Sequence, residues 1–328
     1  MDPTPYTLLI YMERKIIGIG ETIMDIIFKN GQPTTAVPGG SVFNSVITLG
    51  RLGQNVTFIS ETGNDKVGRI ILDFLKDNGV NNENVCVYYD GRTPISLAWL
   101  DENNDADYEF YKDYPKARLD VIWPRIEKND IVIMGSYFVL NPVLRSKVIE
   151  FLNYAKEKEA IIFYDFNFRS THKDEAMKLY PDILENLEYA DIVRGSTEDI
   201  ANMFGDNDPD RVYQKEIDFY CKNMVCTNGS KKVHLISPKV TKDYAVKDVK
   251  TVSTIGAGDN FNAGIIYGLM KENITKDTVQ NMSEEQWDRI MRYAIDFSSH
   301  VCQSLSNSIS KEYAQSYLGI QQKTSLFD

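Results

Sequence analysis

The residues with the clearest chemical potential lie in one run, Ser253-Thr254-Ile255-Gly256-Ala257-Gly258-Asp259-Asn260-Phe261-Asn262-Ala263-Gly264. Its three small residues let the backbone turn tightly and approach a ligand closely. A helix is expected to follow from about Asp259 to Met270, so the amides of Gly256, Ala257 and Gly258 open a helix N-terminus, where partial positive charge suits an anion. An acid there caps the helix. Beside a bound phosphate, the same carboxylate of Asp259 could take the proton of an attacking alcohol. The local pattern leaves both roles open.

Two further segments carry polar groups at special backbone positions. Gly39-Gly40 precedes a helix bearing Asn44. Paired glycines with a nearby amide suit a polyhydroxylated ligand, which needs donors and acceptors at close range; a plain turn with a surface Asn is the simpler reading. In Gly18-Ile-Gly20-Glu-Thr-Ile-Met-Asp25 the first two glycines follow a strand, but Ile23 stands where a dinucleotide fingerprint needs its third glycine, which excludes that fold motif. Asp25, at the end of the strand and before a hairpin, is instead a candidate for binding sugar hydroxyls.

The elements that must hold these residues read as alternating strands and helices. "KIIGIG", "NVTFIS", "DIVIMGS", "AIIFYDFN", "ADIVRGS" and "NMVCTNGS" are strand-like, with amphipathic helices between most of them. That rhythm predicts a parallel sheet covered on both faces. Two hairpins break it, over about 26–38, turning at Asn30-Gly31, and about 94–113. They are expected to form a small β-sheet lid. Gly264 and Gly268, four apart on their helix, are expected to pack closely against the main sheet.

Composition narrows the function classes. The 328 residues carry a formal net charge of -11, which argues against nucleic acid or an anionic membrane as partner. Four cysteines without a CxxC pair and three histidines suggest neither a disulfide framework nor a zinc site, so the cytoplasm is the expected compartment. No apolar run has the length of a membrane span. Residues 1–11 read as an N-terminal extension before a domain of about 12–320.

In this order and spacing the segments resemble the ribokinase-like (PfkB) sugar kinase family. "GIGETIMD" is similar to the opening of the fructokinase and ketodeoxygluconate kinase branches; "GGSVFNSVITLGRLG" and "TIGAGDNFNAG" are similar to the two family signatures; "DFNFR" (165–169) and "VCTNGSKKV" (225–233) resemble smaller motifs in register. The resemblance runs from about Lys15 to Ser310. It implies a three-layer α/β/α fold with a mostly parallel sheet and a β lid, and transfer of the ATP γ-phosphate to a sugar hydroxymethyl group. Asp259 matches the catalytic base, and Gly256, Ala257 and Gly258 the anion hole. The helix dipole is expected to keep the Asp259 carboxylate ionised. Asp25, Gly39, Gly40 and Asn44 match sugar-binding positions. Arg169 reaches the sugar or a phosphate, or else forms a structural salt bridge, and Thr227 and Gly229 border the nucleotide.

Fructose or a related ketose is favoured, with ribose, 2-keto-3-deoxygluconate and nucleosides as alternatives and a homodimer through the lid as a further implication. Lys112 could meet an acidic sugar or sit solvated on the lid. Departures from the family pattern also matter. Ser253 stands where relatives carry an Asp that helps hold a monovalent cation, which argues against potassium activation. Ser196 and Asp199 stand for a motif that organises Mg2+ through water, so magnesium is expected to arrive with ATP and Asp199 is the candidate contact. "VCQSLSNSIS" replaces a more glycine-containing stretch. These changes also motivate a competing reading, a non-catalytic sugar- or nucleotide-binding regulator on the same fold.

Overall fold

A computed structural model describes residues 14–101 and 106–324. The expected N-terminal extension, the first residues of the expected domain and part of the turn of the second hairpin lie outside the described residues. In chain order the first half contains β1 (Ile16–Ile19), β2 (Ile23–Lys29), β3 (Gln32–Gly39), α1 (Ser41–Arg51), β4 (Val56–Gly63), α2 (Lys66–Asp77), β5 (Val80–Asn81), β6 (Val85–Tyr88), β7 (Arg92–Leu100) and β8 (Ala106–Asp113). Then come β9 (Ile131–Gly135), α3 (Arg145–Glu157), β10 (Ile161–Asp165), α4 (Ala176–Tyr189), β11 (Ile192–Ser196), α5 (Thr197–Phe204), α6 (Pro209–Val212), β12 (Met224–Asn228), β13 (Lys232–Ile236), β14 (Thr241–Ala245), α7 (Ala257–Lys271), α8 (Glu284–Val301) and α9 (Lys311–Thr324).

The large sheet runs β14-β13-β12-β11-β10-β9-β1-β4-β5, with β6 also on β4. From β12 to β5 its neighbours are parallel, and β13 and β14 extend the edge antiparallel. Continuous apolar runs such as Ile-Ile-Gly-Ile in β1 and Ile-Val-Ile-Met in β9 are what a sheet buried on both faces requires. One core gathers Ile16, Phe58, Ile131 and Ile161 with α1, α7 and α8; the other gathers Ile17, Val132, Ile162 and Val193 with α3 and α4. This is the α/β/α architecture expected.

The hairpins form a separate sheet, β3-β2-β7-β8. Asn30 and Gly31 both adopt positive φ, 52° and 73°, the conformation of a tight hairpin turn that the strand twist favours. Asp25 lies within β2, not before it, and pairs in parallel register with Ser96 of β7. Ile27 and Ala98 of this lid pack on Ile255, so the lid rests directly on the segment that leads into α7.

One packing expectation is corrected. Gly264 and Gly268 face α8 rather than the sheet: a Cβ on Gly264 would sit 2.3 Å from the Cα of Ala294, and one on Gly268 2.9 Å from the Cα of Ile290. Helix α8 starts with a reciprocal capping box between Ser283 and Gln286 and buries Trp287, Ile290, Met291 and Ala294. The two glycines let the helix backbones approach and so fix where the start of α7 points. Gly264→Ala should cost about 1–3 kcal/mol by overpacking this crossing. Gly319→Ala, where a Cβ meets nothing within 4 Å, should be neutral or stabilising. Urea midpoints of the two variants measure the contrast, and equal midpoints would refute the close-packing role.

Candidate active site

Two glycines place the carboxylate at the centre of the site. Gly40, at φ 128°, turns the chain from β3 into α1, and a Cβ there would stand 2.2 Å from the carbonyl oxygen of Glu21. Gly256, at φ 75°, caps α7, and a Cβ would stand 2.6 Å from the carbonyl oxygen of Asn307. These turns aim the first residues of α1 and α7 at each other. Ser41 Oγ donates to Asp259 Oδ1 at 2.9 Å, and Asn44 Nδ2 donates to Asp259 Oδ2 at 2.8 Å. Asn44 is therefore a buried partner of the acid, not a surface amide.

Asp259 is 9% exposed. Burial pushes its pKa up to about 6, with Asp165 pushing the same way and Asn44, Arg169 and Ser41 opposing. Burial works against the ionised form expected at this helix terminus, so the acid is ionised above about pH 6 and takes up a proton below it. Ala257 N–H is used locally, on Thr254 O at 3.1 Å. The N–H groups of Gly256, Gly258 and Asp259 meet no acceptor among the described residues.

Three cavities adjoin along this turn. The first, about 380 Å³, is lined by Asp25, Gly40, Asn44, Tyr108, Arg169 and Asp259, among others. The second, about 480 Å³, shares Gly256, Arg169 and Asp259 with the first and adds Arg194 and Gly258. The third, about 620 Å³, shares Arg194, Ser196, Glu198 and Gly258 with the second and is bordered by Thr227 and Gly229. Asp259 and the glycine turn thus stand where the first cavity runs into the second.

Most residues singled out in the sequence meet here. Asp25 is 6% exposed and accepts from Ser96 Oγ and, at 3.2 Å, from Asn307 Nδ2. Gly39 leaves room for it, since a Cβ would fall 2.1 Å from Asp25 Oδ2. Arg169 forms no ion pair among the described residues. Its guanidinium lies 5.9 Å from the Tyr108 ring and helps hold the Asp259 pKa down. Lys112 pairs with Glu21 at 2.7 Å while remaining exposed on the lid, so it is a solvated lysine that is also ion-paired. Ser253 is buried, and its hydroxyl accepts from the Ile255 N–H at 3.2 Å.

Asp199 closes a capping box with Ser196: one oxygen accepts from Phe168 N–H, the other from the N–H and hydroxyl of Ser196, each at 2.7 Å. Glu198 is the exposed carboxylate that this segment presents to the second and third cavities. Among the described residues no group of three or more His, Cys, Asp or Glu could hold a metal. A divalent ion caged by protein side chains alone therefore has no such cluster to bind among the described residues.

Other polar residues of the site were not singled out beforehand. Buried Asp165 accepts from Arg194 Nη1 at 3.1 Å and Asn262 Nδ2 at 2.8 Å, and Arg194 Nη2 donates to Thr227 Oγ1 at 2.7 Å. Signals for them exist. A charged Arg inside the apolar strand "ADIVRGS" rarely lacks a buried partner, and Asn262 lies three residues after Asp259 on one helix face.

Residues 13–312 match the pfkB family carbohydrate kinases, and the chain belongs to that family. Its members are phosphotransferases that use an alcohol as acceptor. The chain is 29% identical over 280 residues to the probable fructokinase-6, chloroplastic, of Arabidopsis thaliana, covering 78% of this chain and 70% of that protein. It is 28% identical over 256 residues to the 5-dehydro-2-deoxygluconokinase of Geobacillus thermodenitrificans (strain NG80-2), covering 72% and 73%. A crystal structure of fructokinase from Vibrio cholerae O395, in fructose-, ADP- and calcium-bound form, shares the fold with a TM-score of 0.79 at 22% identity, covering 93% of this chain and 99% of that one.

Asp25 and Asp259 both have pKa values pushed up to about 6, chiefly by burial. Only the ionised form can take up a proton or offer all its lone pairs, so activity that uses these carboxylates should be present above that range and lost as pH falls through it. kcat/KM for the sugar, which reports the free enzyme, should drop below about pH 6 with a limiting log slope approaching two as the pair takes up protons. A profile flat down to pH 5 would remove the requirement for ionised carboxylates.

Proposed function

We propose that the protein is an ATP-dependent sugar kinase that moves the γ-phosphate onto a hydroxymethyl group of a monosaccharide, with fructose or a related ketose as preferred acceptor. The observation that carries this reading is Asp259 at the junction of two cavities, beside N–H groups that meet no acceptor among the described residues. The sugar alcohol gives its proton to the Asp259 carboxylate as its oxygen bonds to phosphorus, and the bond from phosphorus to the ADP oxygen breaks. Gly256 and Gly258 N–H groups, with the nearby Arg194 guanidinium, are suited to charge on the transferring group; being already oriented, they need little reorganisation. Asp25 and Asn44 hold sugar hydroxyls, and Thr227 and Gly229 border the nucleotide. Magnesium, when bound with ATP, offsets phosphate charge.

The charge balance of the first cavity favours a neutral sugar. Glu21, Asp25 and Asp259 outnumber Lys112 and Arg169 by one acid, and burial lowers the His172 pKa, favouring the uncharged ring. A sugar acid is the second reading, because Arg169 is a cation there without an ion-pair partner among the described residues. Tyr108 and Phe110 of β8 line the first two cavities, as a lid that excludes water from the phosphate would. The β3 and β8 edges of that lid offer a second copy unpaired backbone for a homodimer.

The test is ADP release with magnesium-ATP over fructose, ribose, 5-dehydro-2-deoxygluconate and a nucleoside, with and without potassium. Asp259→Asn should lower kcat about 10²- to 10⁴-fold, the usual range of a general base, while sugar binding persists. Normal turnover by that variant would dismiss the assigned base. Sugar binding without turnover in the unaltered protein would favour a regulator.

A further inference from the structure

The segment 301–310, whose sequence departs from the family pattern, does more than border the nucleotide side. Its carbonyl at Cys302 accepts from the N–H groups of Val252 and Ser253, and Cys302 lines the third cavity. Five residues on, Asn307 reaches the opposite end of the site. Its Nδ2 donates to Asp25 Oδ2 at 3.2 Å, a contact between residues 282 apart in sequence. The missing side chain of Gly39 makes this possible, because a Cβ would lie 2.1 Å from Asp25 Oδ2 and 3.2 Å from Asn307 Nδ2.

The main chain of Asn307 is pinned independently. Its carbonyl accepts from Asn260 Nδ2 at 2.8 Å and packs against Gly256. On one side, then, Asn307 abuts the turn that opens α7; on the other it holds a carboxylate that belongs to the lid.

We propose that Asn307 is a positioning residue for sugar binding: its amide, together with the Ser96 hydroxyl, fixes the Asp25 carboxylate as an ionised, correctly turned acceptor for the sugar. This rests on the sugar-kinase reading above. A carboxylate has about four acceptor sites. Ser96 and Asn307 each use one, at different oxygens, which stops the group rotating and leaves lone pairs free on both oxygens. Donors to the ionised form also oppose burial, which together with Asp259 and Glu21 pushes the Asp25 pKa up to about 6. The other charged or titratable groups lining the same cavity are Tyr108 of the lid, itself affected by Asp25, Lys112, which pairs with Glu21, Arg169, and His172, whose pKa burial lowers.

The test uses full-length protein and the best sugar from the panel of fructose, ribose and 5-dehydro-2-deoxygluconate, measuring kcat and both KM values from pH 6 to 8.5. Asn307→Ala and Asn307→Asp both keep the main-chain carbonyl that Asn260 binds. Asn307→Ala should raise the sugar KM about 10-fold at pH 7, as expected for a lost hydrogen bond to a charged group, with kcat and the ATP KM within about twofold. Without its donor Asp25 protonates more readily, so this defect should shrink as pH rises.

Asn307→Asp, nearly isosteric, should do the reverse. A proton shared with Asp25 at low pH preserves the contact, and two facing anions at high pH break it, so its sugar KM should climb with pH. Opposite pH slopes in the two variants are a signature that loosened packing cannot produce. An unchanged sugar KM in both, or a pH-independent loss shared equally by sugar and ATP, overturns the role of Asn307 while leaving the kinase reading intact. Failure of the unaltered protein on every sugar overturns the kinase reading, and this inference with it.

Discussion

The site depends on a buried carboxylate that α1 must satisfy. A charge at 9% exposure is costly unless hydrogen-bonded, and helix α1 supplies what Asp259 needs. Ser41 and Asn44 donate to its two side-chain oxygens, and Ser45 Oγ donates to its main-chain carbonyl at 2.7 Å. A turn further on, Thr48 donates to Asn260 Oδ1. The polar face of α1, residues 41, 44, 45 and 48, follows helical spacing, and every one of these side chains bonds the start of α7. The two helices therefore cannot shift against each other without stranding a charge. The Asp259 carboxylate and the first cavity beside it are consequently set by one interface.

The same constraint accounts for the glycines. Gly40 and Gly256 begin the two helices at backbone angles that side chains rarely adopt, and each abuts a carbonyl at a distance no Cβ tolerates. Gly264 and Gly268 then let α8 press on α7 from behind. Ile255 adds the lid to this arrangement, because it sits one residue before the turn and packs on Ile27 and Ala98. Lid position and the backbone of the anion-facing turn are thus mechanically joined through one apolar side chain, where a polar residue would join them less firmly.

How much of this was legible follows from how local each feature is. Gly256-Ala257-Gly258-Asp259 and Gly39-Gly40 write their purpose into adjacent residues, since turn, helix start and acid fall within four positions, so the centre of the site could be read directly. Asn30-Gly31 likewise specified its hairpin. Asp199 misled because a carboxylate three residues after Ser196 serves equally as a capping partner, and only the fold shows both its oxygens occupied. The buried chain Asp165–Arg194–Thr227 joins three neighbouring strands, β10, β11 and β12, through side chains 29 and 33 residues apart. Its pairing is a consequence of strand order, which periodicity does not give. Gly264 and Gly268 were readable as close-contact residues, but their partner was not, although Ser283, Gln286 and the spacing of Trp287, Ile290 and Met291 mark a capped, buried helix.

In a protein of net charge -11, an anion is attracted only where positive potential is concentrated locally. Here it is confined to a small volume. The Arg194 guanidinium is held between Asp165 and Thr227, against the open Cα face of Gly258, where a Cβ would lie 3.0 Å from Nη1. N–H groups of the α7 turn that meet no acceptor among the described residues add to it at short range. Asp165 offsets part of this potential, but it also fixes where the guanidinium points. Its own charge is shared with Asn262, and it serves to keep Arg194 from swinging out into solvent. Removing Asp165 would thus leave a buried, poorly held cation instead of a stronger anion site, because a guanidinium helps a transferring phosphate only where its direction is fixed in advance.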